Sequence, residues 1–156
     1  MNSQLPRRAV LLSSAAVTLG LAGCSSDSDP SGSSGGDTDS WQEILNTRET
    51  VQEDEYQAWN WSADQSTEIR WEFTVRNGPE AELFVMESTE FDEFQAGNRF
   101  YAVESAAGTS DETTFTVESG DYRFVLDNTN AGDIAPPTNL DDDAAEIELV
   151  VEARTA

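Results

Sequence analysis

The chain has no histidine and no lysine: all eight of its basic residues are arginine, and Cys24 is its single cysteine in 156 residues. These absences remove whole classes of chemistry. Without histidine there is no Ser-His-Asp triad, and one thiol cannot supply a zinc site of the nitrogen and sulfur type. Without lysine there is neither a Schiff base nor a Gly-x-x-x-x-Gly-Lys phosphate loop. A lone cysteine also excludes an internal disulfide, whatever the redox compartment. Paired carboxylates remain as catalysts, as in glycoside hydrolysis. Spacing along the chain does not set two acids at the needed separation, and a domain this small has little room for a substrate cleft. The expectation is a protein that is not an enzyme and carries no cofactor.

Positive charge is scarce as well. Eight basic residues face 31 acidic ones, for a net charge of -23. Such a chain repels phosphate on every side, which argues against nucleic acid as a partner. It also opposes its own compaction in ordinary buffer. In about 1 M salt the screening length shrinks to about 3 Å and that cost largely disappears. Dense acids with lysine avoided resemble the proteins of salt-loving archaea. A disordered acidic chain is the rival reading. Four Trp, three Tyr and seven Phe, concentrated where the sequence alternates, argue against it.

The only long apolar run is AVLLSSAAVTLGLAG, residues 9–23. Fifteen such residues fall short of a hydrocarbon core of about 30 Å. Arg7 and Arg8 precede the run and small residues close it before Cys24, as export processing requires. The paired arginines resemble a twin-arginine export signal, and LAGC, residues 21–24, resembles the lipobox of prokaryotic lipoproteins. Cleavage there would leave Cys24 as the mature N-terminus with lipid on its sulfur. A plain secretory leader, or a retained N-terminal anchor, is the alternative. The mature chain would then hold six arginines against 31 acids, a net of -25 in 133 residues.

Three regions follow: residues 1–23 as export signal, 24–40 as a lipidated Ser/Gly/Asp tether, and 41–156 as the folded domain. The tract SSDSDPSGSSGGDTDS, 25–40, has nothing to pack with. Its root-mean-square span is roughly 20–25 Å, from about 5–6 Å × √n. About 115 residues beyond it suffice for one modest core.

Within the domain the apolar period becomes two. EIRWEFTVR, 68–76, puts Ile69, Trp71, Phe73 and Val75 on one face, with Arg70 and Arg76 among acids on the other. Those arginines are expected to pair across strands or along the face. Asn77-Gly78-Pro79 reads as a turn, and AELFVME, 81–87, as its hairpin partner, apolar on both sides. EYQAWNW, 55–61, is a further strand, with Trp59 and Trp61 on one face and Tyr56 on the other. Phe91 and Phe94 fit a short helical turn on a sheet edge. Strands are expected at 100–104, 113–117, 122–127 and 145–152, while 40–51 reads as a helical turn or an irregular first strand. Seven or eight short strands without a long amphipathic helix predict an all-β, jelly-roll-like antiparallel sandwich.

Two stretches carry a family resemblance. VESGDYRFVLDNTNAGDIAPP, 117–137, and AELFVMESTEFDEFQAG, 81–97, resemble recurring segments of archaeal exported β domains. Through these the chain is distantly similar, over about Glu49 to Val151, to GOLD domains and to the bacterial pre-peptidase C-terminal domain. The resemblance implies a non-catalytic accessory or recognition domain and supplies no catalytic residues.

Candidate sites follow from the residues themselves. Tyr56, Trp59 and Trp61 could form an exposed stacking platform for a sugar or solute, against the plainer reading of core aromatics. Asn60-Trp61-Ser62 is the only Asn-x-Ser/Thr sequon, so Asn60 is a glycosylation candidate if it points outward. Asp127, Asn128, Asp133, Asp141, Asp142 and Asp143 offer hard oxygen ligands for calcium, without the spacing of an EF-hand. The plainer reading is strand-end caps at 127–129 and a solvated acidic loop. The functional expectation is a lipid-anchored domain on the outer face of the cell membrane, with a structural or protein-interaction role. A solute- or glycan-binding module, or an accessory subunit of a transporter or secreted complex, is the alternative. The expected partners are the membrane, through Cys24, and a surface protein or glycan.

Overall fold

The computed structural model describes residues 40–137 and 143–156. Arg7, Arg8, Cys24, nearly all of the tether and Asp141 lie outside them. Eight strands and one helix follow in chain order: β1 Gln42–Val51, β2 Tyr56–Ala63, β3 Thr67–Asn77, β4 Ala81–Glu87, α1 Ser88–Ala96, β5 Glu104–Gly108, β6 Ser110–Val117, β7 Gly120–Asp127 and β8 Ala145–Thr155. They form two antiparallel four-stranded sheets, I in the order β1-β8-β3-β6 and II in the order β2-β7-β4-β5. This is the jelly-roll order, in which β1 pairs β8, β2 pairs β7, β3 pairs β6 and β4 pairs β5. The all-β sandwich read from the sequence is the fold.

The alternation in β3 explains sheet I. Ile69, Trp71 and Phe73 point inward and are fully buried, together with Ile147, Leu149 and Val151 of β8. Leu83, Val85, Phe124 and Leu126 of sheet II meet them from the opposite side. On the wet face of sheet I, Arg154 reaches Glu68 at 2.5 Å, Arg76 reaches Glu148 at 2.6 Å, and Arg70 pairs with Glu152. Arg48 adds a contact to Glu146 at 2.9 Å. The expected cross-strand pairing of Arg70 and Arg76 is therefore present. Trp41, just ahead of β1, lies under the guanidinium groups of Arg70 and Arg154, 4.6 and 4.5 Å from its ring centroid.

Several sequence expectations need correction. For 40–51 the irregular-strand alternative holds and the helical turn does not: β1 runs over Gln42–Val51 with a register shift between Glu43 and Leu45. β4 is not the hairpin partner of β3: it lies in the other sheet, between β7 and β5. The turn at 78–80 carries the chain across the sandwich, and Gly78 has φ +97° with the Ala144 carbonyl where a Cβ would stand. The apolar residues on both faces of AELFVME follow from that central position, since one face meets the main core and the other lies under α1. The strand expected at 100–104 begins only at Glu104, because Phe100 and Ala102 pack onto the outer cluster of sheet II instead of into a ladder. The helix at Phe91 and Phe94 covers the face of sheet II, not an edge. Phe94 is 2% exposed among Phe84, Met86 and Val125. Gly97 in the left-handed region (φ 73°) ends this helix, with its N–H donating to Phe94 and that of Asn98 to Glu93.

Candidate functional site

The sequence-derived candidates fall in three places. Trp59 and Trp61 point inward and pack on the main core, with Trp61 6.0 Å from Tyr122 and 6.1 Å from Phe124 between ring centroids. Tyr56 points the other way, edge-on to Phe91 at 5.9 Å and to Phe94 at 5.0 Å. The three aromatics therefore do not share a surface, and the core reading applies to both tryptophans. Asn60, opposite Arg123 on the edge strand β2, is exposed, so its amide is open to modification. The sequon hydroxyl, Ser62 Oγ, donates to Asp121 at 2.6 Å.

The segment 127–129 is a structural clamp. Asn128 Nδ2 donates to the Val51 carbonyl at 3.1 Å and to the Asp143 carbonyl at 2.9 Å, tying the end of β1 to the approach of β8. Thr129 Oγ1 donates to Asp127 at 3.1 Å and accepts from the Ala131 N–H at 3.0 Å. These are the strand-end caps expected of such residues. Among the described residues no three acidic side chains stand close enough to hold a metal ion. Asp127, Asn128, Asp133 and Asp143 thus do not assemble into a cation site there, and Asp141 lies outside the described residues.

The group that sequence reasoning missed is Glu82. In AELFVME it reads as one more solvated acid, yet it is 3% exposed. It stands directly opposite Asp127, itself 2% exposed, in the β4–β7 register. The loop 129–134 folds over it. The Asp133 N–H donates to Oε1 at 2.9 Å, and a Cβ on Gly132 would collide with the carboxylate. Oε2 is buried without a hydrogen-bond partner. Burial raises the pKa of Glu82 and the nearby Asp133 charge adds to the shift, while backbone hydrogen bonds from Asp133 and Ile134 oppose it.

Glu82 lines a cleft of about 320 Å³ on the outer side of sheet II, together with Phe84, Phe100, Arg99, Ser105 and Asp133. Phe84 and Phe100 meet edge to face at 5.3 Å and form its apolar wall. Arg99 is exposed, stacks on Tyr101 at 5.2 Å, and makes no ion pair among the described residues. The cleft thus joins a buried acid, an uncommitted guanidinium and an aromatic wall. Nothing in it resembles a nucleophile with its base.

No family model matches this chain, and no curated protein matches it either. Among solved structures it is similar to the pre-peptidase C-terminal domain of a collagenase from Bacillus anthracis, at 14% identity and a TM-score of 0.42, over 67% of this chain and 89% of that one. It is also similar to a chain of the Bacillus endospore appendages, a family of disulfide-linked pili, at 14% identity and a TM-score of 0.28, over 70% and 92% of the two chains. Among the described residues no helix is long and apolar enough to cross a membrane.

Proposed function

We propose that this chain is a non-catalytic surface lipoprotein of a salt-loving archaeon, exported by a twin-arginine route. In this reading it is anchored through lipid on Cys24 and presents a recognition domain on the outer face of the membrane. The observation that carries this reading is the order of Arg7-Arg8, LAGC at 21–24 and the Ser/Gly/Asp tract ahead of Trp41. Strand β1 begins at Gln42, directly behind the Ser/Gly/Asp tract, and Trp41 is fixed against Arg70 and Arg154. A tether that runs straight into a clamped strand holds a folded body away from a surface. Charge supports the same setting: acids dominate, and arginine alone supplies the cations that pair with them on sheet I.

The role of the domain is structural or protein-binding, and the cleft at Glu82 favours solute binding as the second reading. Intact-mass analysis of the native membrane fraction tests the first. The expected chain starts at Cys24 and carries added lipid mass, and Cys24→Ser protein leaves the membrane fraction. A Cys24→Ser form cleaved at the same place and equally membrane-bound would refute the anchor. Partner capture from native membranes in molar salt tests the protein-binding role: a Tyr101→Ser/Val103→Ser form, which alters the two exposed large apolar side chains among the described residues, 63% and 44% exposed, is expected to lose the partner that the wild type retains.

A further inference from the structure

The cleft beside β4 combines features that a purely structural groove does not need. A buried carboxylate oxygen without a partner is costly, yet Glu82 keeps Oε2 in that state on a side chain that lines the cleft. Gly132 lies over this oxygen, so a donor in the cleft reaches it where the 129–134 loop gives way. Arg99 stands on the same cleft with its charge uncommitted, in a chain where acids outnumber bases by almost four to one. The arginines of sheet I all have carboxylate partners. Phe84 and Phe100 line the same cleft as these two charges, an apolar wall that suits a short aliphatic stem. The volume lies at the lower end of the range for small-molecule sites, about 300–1,000 Å³.

We propose that this cleft binds a small zwitterion, a molecule carrying a primary ammonium group and a carboxylate on a short aliphatic stem. Glu82 accepts the hydrogen bond from the ammonium, Arg99 holds the carboxylate, and Phe84 and Phe100 line the stem. A bare metal cation fits poorly, since a guanidinium shares the cleft and no three acids converge there. A simple anion fits poorly as well, since Glu82 and Asp133 would repel it. The proposal goes beyond the surface-anchoring reading and does not depend on Cys24, because binding is measured in solution.

The test uses the full chain in molar salt, with amide chemical shifts and calorimetry as readouts. L-valine and 4-aminobutanoate are the zwitterionic probes, butylammonium and butanoate the singly charged controls, and maltose the neutral one. The expected result is saturable binding of at least one zwitterion with shifts at Gly132 and Ser105, and binding of each singly charged control about tenfold weaker or worse. Glu82→Gln and Arg99→Gln are each expected to weaken zwitterion binding by about tenfold, the loss that accompanies removal of one charge-assisted hydrogen bond. Melting curves of both variants establish that the fold is retained, and Arg99→Gln, at an exposed position, keeps the test decisive if Glu82→Gln misfolds. Absence of saturable zwitterion binding would overturn the proposal. So would butylammonium binding as tightly as the zwitterions, equal affinity in the Arg99→Gln variant, or maltose binding in their place.

Discussion

The two sheets of the sandwich share an inner face and differ entirely on the outer one. Sheet I turns a lattice of arginine–glutamate pairs to water, on strands that alternate strictly. Sheet II turns Phe84, Met86 and Val125 outward and buries them under α1 with Phe91, Phe94 and Phe100. One layer therefore rests on one core and the other on two. The charged face contributes little stability by contact alone, since exposed pairs are worth about 0.2–1 kcal/mol each. The covered face contributes through area removed from water, at roughly 25 cal/mol per Å². The lesson is that charge pairing and apolar packing are built on opposite outer faces of the sandwich.

Breaking the covered face should have the largest effect. Phe94 packs against four rings, with centroids at 5.0, 5.2, 5.9 and 6.4 Å. Phe94→Ala is expected to cost about 3–5 kcal/mol in chemical unfolding, as for other buried aromatics. A loss below about 1 kcal/mol would mean that α1 is only loosely docked.

Gly78→Ala should come next. It combines a φ of +97° with a collision against the Ala144 carbonyl, and nothing flexible stands in the way to move. A loss of about 1–3 kcal/mol is expected, visible as a lower melting temperature in the same buffer.

Glu82→Gln sharpens the comparison in the opposite direction. Burial raises the folded pKa of this carboxyl above its unfolded value. Its contribution is therefore favourable below the unfolded pKa and is lost as pH rises through the folded one. The Gln variant is expected to melt above the wild type at pH 8, with the gap closing as pH falls toward the unfolded carboxylate range, about pH 4. A gap independent of pH would mean that this carboxyl titrates alike in the folded and unfolded chain, so that burial does not raise its pKa.

The smallest effect belongs to the charged face. A double-mutant cycle on Arg70 and Glu152 should return about 0.2–1 kcal/mol in dilute buffer and less in molar salt. Circular dichroism of the whole chain should nevertheless gain β signal as salt rises, because relief of net repulsion acts on all 31 acids at once.

Much of sheet I was legible in the sequence because its strands are wet on one side. In 68–76 the alternation names the inner residues, the outer residues and the pairing arginines together. Sheet II was legible only as composition. The apolar residues on both faces of AELFVME announce a strand covered twice but do not say by which neighbours, and the usual inference from Asn-Gly-Pro is a hairpin. In a jelly roll that inference fails at nearly every turn, since only β4 and β5 are both successive and paired. β5 itself, with Ala106 and Ala107, is too small-residued to signal a strand, whereas the aromatic Phe100 just before it signals one falsely. The burial of Glu82 depends on a loop some fifty residues downstream. No local pattern around it could reveal that the acid is covered. The cleft shares this limit, because its walls come from four separate stretches of chain.

The pairing of β1 with β8 places Gln42 opposite Ala153, while Val51, at the other end of the same strand, lies opposite Ala145. The sandwich accordingly has two poles. One holds Trp41, the turn before Thr67 and the last residues of β8. The other holds the 52–55 turn, Gly78 and the loop over Glu82. In the proposed anchoring through residues 24–40, the body would hang by the first pole. The second, with the Glu82 end of the cleft, is then the part that a molecule diffusing in from outside meets first. A bulky tag fused behind Ala156 would crowd the pole assigned to the proposed anchor and leave the other pole clear.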